Sequence, residues 1–283
     1  MDIPHLSPAF GRNEFLIRRL HSLTGLPPVG VFLVVHLATN ASILDGGDTY
    51  QARVDQIHAV GPSTLLAVEW IFIFLPIIFH ALIGVLIVAR GQRNVTDYPY
   101  NGNVRYTLQR WTGVIAFFFI FWHVFQTRGW IQNPWWVEHV TRRLGGGLFD
   151  PKHAAISSAN AVRVSTIAVA CYLVGVLASV YHLFNGLWTA GITWGVWTSP
   201  RSQRWALRAC AGLGFLFAAL SVATVVGMYN FKDMTAPAGA RTVPHSSVGN
   251  AVERLSDRTR LDRLVLSPGD AADSSSNAPG TKP

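Results

Sequence analysis

Four histidines stand where a chain seldom places an ionisable side chain. His36, His80, His123 and His182 each fall inside a long apolar stretch, and such groups within membrane spans are rare and usually functional. A neutral imidazole can hydrogen-bond a carbonyl, relay a proton, or bind iron or copper through one ring nitrogen. One buried histidine explains itself by a hydrogen bond. One in each of four consecutive apolar stretches points to a shared cofactor.

Depth sorts the four into pairs. At a rise of about 1.5 Å per helical residue, His36 lies about 13 Å from Asp45 and His123 about 8 Å from Arg128. His80 lies about 25 Å from Ser63 and His182 about 28 Å from Arg163 on the same rise. All four distances run from one side of the bundle, here called outer. His36 therefore pairs with His123 at an outer level, and His80 with His182 at an inner level, about 15 Å apart. Two imidazoles at each of two levels suit bis-histidine haem, whose iron takes axial ligands from opposite ring faces. A bare metal site would need its ligands to converge at one level. A proton relay over such spacings would need intervening waters. Gly84 and Gly186 each follow an inner histidine by four residues, and Gly175 and Ser179 precede His182 on the same face. Small residues there leave room for a flat macrocycle, although close helix packing uses them too.

Other polar groups accompany these levels. Glu69 precedes His80 by eleven residues, about 20° from its face, and is a candidate for proton transfer at a quinone site near the outer level. At the inner rim Arg19, Ser22 and Arg110 are candidate donors to haem propionates or a quinone carbonyl. The same rim carries Arg18, His21, Gln109, Asn185 and Trp188. His5, His58, His139, His153 and His245 fall in loops or tails and read as solvated.

Helices must position these side chains. The sequence has 283 residues, 50% hydrophobic and only 13% charged, well below the roughly 25% charged residues of soluble domains. Five stretches reach the length a bilayer requires: about 25–42, 63–88, 111–126, 165–188 and 205–228. Backbone groups in lipid must bond within their own segment, so the fold class is all-α, a bundle of five transmembrane helices. Residues 1–24 form a polar N-terminal segment, 25–230 the membrane domain, and 231–283 a polar tail expected to be disordered. No internal repeat is legible.

The net charge of +8 is spread beside the apolar stretches rather than gathered in one patch, which argues against nucleic acid. Arg12, Arg18 and Arg19, then Arg90, Arg93, Arg105 and Arg110, then Arg201, Arg204 and Arg208 fall on one side. The positive-inside rule makes that side, and the N-terminus, cytoplasmic. The two cysteines, Cys171 and Cys210, form no CxxC or CxxCH, which excludes an iron–sulfur cluster and covalently attached haem on this chain.

The segments RRLHSLTGLPPVGVFLVVHLATN (18–40), VEWIFIFLPIIFHALIGV (68–85), LQRWTGVIAFFFIFWHVFQTR (108–128) and YHLFNGLWTAGITWGVWTSPRSQR (181–204) carry a family resemblance. Together they resemble the di-haem (type B) cytochrome b membrane anchor of succinate dehydrogenases and fumarate reductases, the succinate:quinone oxidoreductases. The resemblance implies two b haems, His80 and His182 holding the proximal one and His36 and His123 the distal one. It also implies a cytoplasmic FAD flavoprotein and an iron–sulfur subunit as partners, a quinone (menaquinone in this branch) as electron-transfer substrate, and a bacterial cytoplasmic membrane. The tail after about Lys232 departs from the family pattern. The histidines alone also fit a haem-b anchor of another respiratory dehydrogenase, or a transporter with a histidine proton relay.

Overall fold

A computed structural model describes residues 8–91 and 95–232, and within these only helices, turns and loops occur. The tail expected over 231–283 lies almost wholly outside the described residues. Among the described residues five helices are long and apolar enough to cross a membrane: Asn13–Asp45, Pro62–Ala89, Asn101–Arg128, Thr166–Thr193 and Pro200–Asn230. The chain is a multi-pass membrane protein.

Local signals explain where the spans begin and end. Proline opens the second and fifth at the first helical position, where its missing N–H costs nothing. Ser165 caps the fourth, its hydroxyl accepting from Ala168 N at 3.0 Å. Ser199 and Ser202 close a reciprocal capping box on the fifth. Gly129, at φ 76°, ends the third in the left-handed region. The third span begins at Asn101 rather than near Trp111, because its first turns are polar and escape a hydropathy reading.

The first span is two helices, Pro8–Gly25 and Pro28–Ala41, joined through Leu26 and Pro27. Neither Pro27 nor Pro28 has an N–H to donate, so the ladder is rebuilt around them: Leu26 N bonds Ser22 O at 3.1 Å and Val31 N bonds Leu26 O at 3.2 Å. The latter spans five residues and widens the helix by one. The second span also contains a widened π turn, Trp70–Phe74, directly after Glu69.

Large apolar side chains face outward, with Phe215 78%, Ile167 75% and Phe118 64% exposed, as lipid contact demands. The fourth span is the axis. It is rich in small residues, buries Gly175, Ala178, Ser179 and Val180 among others, and packs on both the third and the fifth spans. The histidine-free fifth span also rests on Pro28–Ala41 and closes the bundle.

Two further helices, Gly47–His58 and Ala154–Arg163, lie in the outer connections and were not foreseen from the sequence. They bury Ile43, Tyr50, Val54, Ala154 and Val162 against Tyr172, Val225 and Met228. The Tyr50 hydroxyl sits 3.2 Å from Asn40 Oδ1 and 3.1 Å from Ser158 Oγ. Burial raises its pKa, so it remains a donor. These helices form a lid over the outer level.

Candidate cofactor site

The four intramembrane histidines come together as two pairs. His80 and His182 have ring centroids 6.0 Å apart with planes 86° apart. His36 and His123 have centroids 6.0 Å apart with planes at 70°. Two metal–nitrogen bonds of about 2 Å each, with about 1.2 Å from nitrogen to ring centre on each side, sum to about 6.4 Å. Separations of 6.0 Å would accommodate one metal between the two imidazoles of each pair. Among the described residues no three His, Cys, Asp or Glu side chains converge as a metal-binding group.

Three of the four rings have Nδ1 occupied. His80 Nδ1 donates to the main-chain O of His21 at 2.8 Å, and His182 Nδ1 to that of Gln109 at 3.0 Å, the shorter of its two contacts with that residue, since Gln109 Nε2 stands 3.2 Å from the same nitrogen and donates to His182 O. His123 Nδ1 faces the Tyr172 hydroxyl at 3.3 Å. That hydroxyl donates onward to Gln126 Oε1 at 2.7 Å, and Gln126 Nε2 donates to Ala161 O at 2.9 Å. With Nδ1 carrying the proton, the lone pair lies on Nε2, the tautomer an axial ligand requires. His36 is flanked by Phe32, centroids 5.3 Å apart.

The glycines serve differently from the sequence reading. A Cβ on Gly175 would overlap the Phe119 ring, so this glycine admits Phe119. Gly84 faces His21 Cε1 at 3.3 Å and Gly186 faces Gln109 Nε2 at 3.2 Å. Each thus makes room for a side chain of the opposing helix.

His21 and Gln109, named only as rim groups from the sequence, are close neighbours of the inner rings. His21 stacks on His80 with centroids 3.9 Å apart and planes within 10°. Gln109 Nε2 donates to His182 O at 3.0 Å, and its Oε1 accepts from Asn185 Nδ2 at 2.7 Å. Arg105 Nε donates to Asn185 Oδ1 at 3.0 Å, its guanidinium lying 4.0 Å over the Trp188 ring. A signal for these partners existed in their position one turn before a glycine, but its meaning depends on which carbonyl accepts.

Arg19 and Ser22 share one corner. Ser22 Oγ donates to Arg19 O and accepts from Trp194 Nε1, each at 2.9 Å. Arg19 lies over the Phe15 and Trp194 rings. Its Nε and the His21 Nδ1 are buried without a hydrogen-bond partner. Of these, His21 lies against the His80 ring; buried donors are ordinarily satisfied, and a carboxylate of a porphyrin edge would satisfy such atoms. Arg110 belongs elsewhere: it packs over Tyr106 and reaches Ile87 O at 3.4 Å, against Gly91. Glu69, foreseen as a carboxyl near the outer level, is ion-paired with Arg128 at the end of the third span. Of the loop histidines, His58 bonds Val54 O, His139 bonds Trp135 O and His153 bonds Asp150; His5 and His245 lie outside the described residues.

No family model matches the sequence. The chain is 36% identical over 194 residues to the succinate dehydrogenase cytochrome b558 subunit of Bacillus subtilis (strain 168), a match covering 69% of this chain and 87% of that protein. The chain belongs to the family of succinate dehydrogenase cytochrome b subunits. Its five apolar helices agree with a membrane subunit.

Proposed function

We propose that this chain is the di-haem membrane anchor of a succinate:quinone oxidoreductase, with His80 and His182 as axial ligands of an inner haem b and His36 and His123 as those of an outer one. The observation that carries this reading is the repeated 6.0 Å separation of imidazole pairs at two depths of one bundle. Haem b supplies a one-electron carrier at each level. The chain's own residues fix tautomers through Nδ1, keep water out with an apolar exterior, and offer donors at the rim: Arg19 and Ser22 at one corner, Arg110 at another. Dicarboxylate chemistry would reside on a separate FAD flavoprotein, joined through an iron–sulfur subunit on the cytoplasmic side, where the arginine-rich connections lie. The same charge bias supports an N-terminus inside, and the family reading puts the chain in a bacterial cytoplasmic membrane.

Purified complex should yield two haem b per copy of this chain by pyridine haemochromogen assay, with b-type bands in its reduced-minus-oxidised spectrum. One haem per chain, or none, would overturn the reading.

Glu69 gives this reading its quinone end. The Arg128 guanidinium neutralises the carboxylate within the membrane, where an unpaired charge is costly. The π turn that follows is a widening often found at functional sites. A menaquinol at this position would find a carboxylate able to take a proton close to the outer level. Glu69→Gln is expected to lower quinone-linked turnover at least about tenfold, within the range for a lost acid–base group. Both haems should remain present and reducible by dithionite. Unchanged turnover would remove Glu69 from the quinone site.

A further inference from the structure

The two inner imidazoles are seated by the same device on two different helices. Four residues after each accepting carbonyl, of His21 and of Gln109, stands a glycine: Gly25 and Gly113. Residues four apart share a helical face, so the glycine is the position whose side chain would cover that carbonyl. A Cβ on Gly25 would overlap the His80 ring at Cε1 and Nδ1, and one on Gly113 would stand 2.8 Å from His182 Cε1 and 3.1 Å from Nδ1. Before each glycine comes a threonine whose hydroxyl donates first to the carbonyl four residues back, Leu20 O at 2.9 Å and Leu108 O at 2.7 Å, and shares that hydrogen with the same accepting carbonyl: Thr24 on His21 O at 3.1 Å, Thr112 on Gln109 O at 3.3 Å.

The correspondence extends further. LHSLTG (20–25) matches LQRWTG (108–113), and HALIG (80–84) matches HLFNG (182–186). Gly84 and Gly186 face His21 and Gln109 in the same sense. His36 follows Gly25 by eleven residues, His123 follows Gly113 by ten. The extra residue falls in the stretch that holds the five-residue turn from Leu26 to Val31. The first two spans and the next two are thus two versions of one ligand-bearing helix pair.

We propose that Gly25 and Gly113 are positioning residues for the inner haem, each opening one turn of helix so that an inner imidazole donates through Nδ1 to the main-chain carbonyl beneath and keeps Nε2 toward the iron. The inference rests on the reading of His80 and His182 as axial ligands. An imidazole whose N–H is drawn by a carbonyl is a more basic ligand, which favours ferric iron and lowers the potential. Gly25→Ala or Gly113→Ala removes that bond and should raise the inner potential. Thr24→Val or Thr112→Val removes the longer, shared contact of the hydroxyl on that carbonyl, leaves it more fully to the imidazole, and should lower the potential by less. The opposite signs separate positioning from mere packing.

The test is redox titration with electron paramagnetic resonance of the whole complex in native membranes, the haem-to-protein ratio being measured alongside. In the alanine variants the inner low-spin signal should move, and its reduction equilibrium constant should change about tenfold, which is 59 mV for a one-electron couple. The valine variants should shift the inner haem less and in the other direction. The outer signal should stay in place, as should both signals in Gly212→Ala, where a Cβ meets nothing within 4 Å. Inner signals and potentials unchanged in the alanine variants would overturn the proposal, as would equal changes at both haems. Should an alanine variant not assemble, the valine pair decides: no shift, or a shift upward, refutes it. An unaltered complex lacking an inner haem would instead refute the ligand reading itself.

Discussion

Alanine at His80 or at His182 is expected to remove the inner haem and leave the outer one, and alanine at His36 or His123 the reverse. Each ring of a pair has its partner 6.0 Å away. His21 lies parallel to His80 at 3.9 Å, beside that ring and not across from it as His182 is. Haem content per chain should fall from two to one in each single variant. The surviving species should be the same in His80→Ala as in His182→Ala, identified by its low-spin signal. Loss of the same haem in His36→Ala and His80→Ala would refute the pairing.

Gln126→Leu is expected to loosen the outer level without touching a ligand. Gln126 is 4% exposed and holds both the Tyr172 hydroxyl and the Ala161 carbonyl. Leucine fills similar volume but leaves a buried hydroxyl and a buried carbonyl unpaired, about 1–3 kcal/mol for each. Tyr172 then no longer has a fixed acceptor for its proton, and its oxygen is less firmly presented to His123 Nδ1. Outer haem should be lost at lower temperature in a thermal release assay while the inner haem keeps its wild-type release profile. Equal release of both haems would show that Gln126 supports the bundle generally.

The spans and the pairing of the four intramembrane histidines were legible in the sequence because both signals are strong and local. Apolar runs of bilayer length leave little choice of fold, and a helical rise turns residue spacing directly into depth. What escaped depended on contacts between distant segments. Glu69 and Arg128 are 59 residues apart, and nothing near either one predicts the other. The helices Gly47–His58 and Ala154–Arg163 carry mixed composition and gain their burial only against one another and the bundle. Gly175 sits on the face of His182, as spacing requires, yet Phe119 from the third span occupies the space it leaves. The repeat between 20–25 and 108–113 shares only leucine, threonine and glycine at matched positions. It becomes visible once the two accepting carbonyls are known.

The most direct test is a density map of the assembled complex at a resolution that shows imidazole rings. The account predicts two flat macrocycles, one bridging His36 and His123 and one bridging His80 and His182, with Nε2 of each ring toward the metal. A single macrocycle, or rings from different levels joined across one metal, would contradict it.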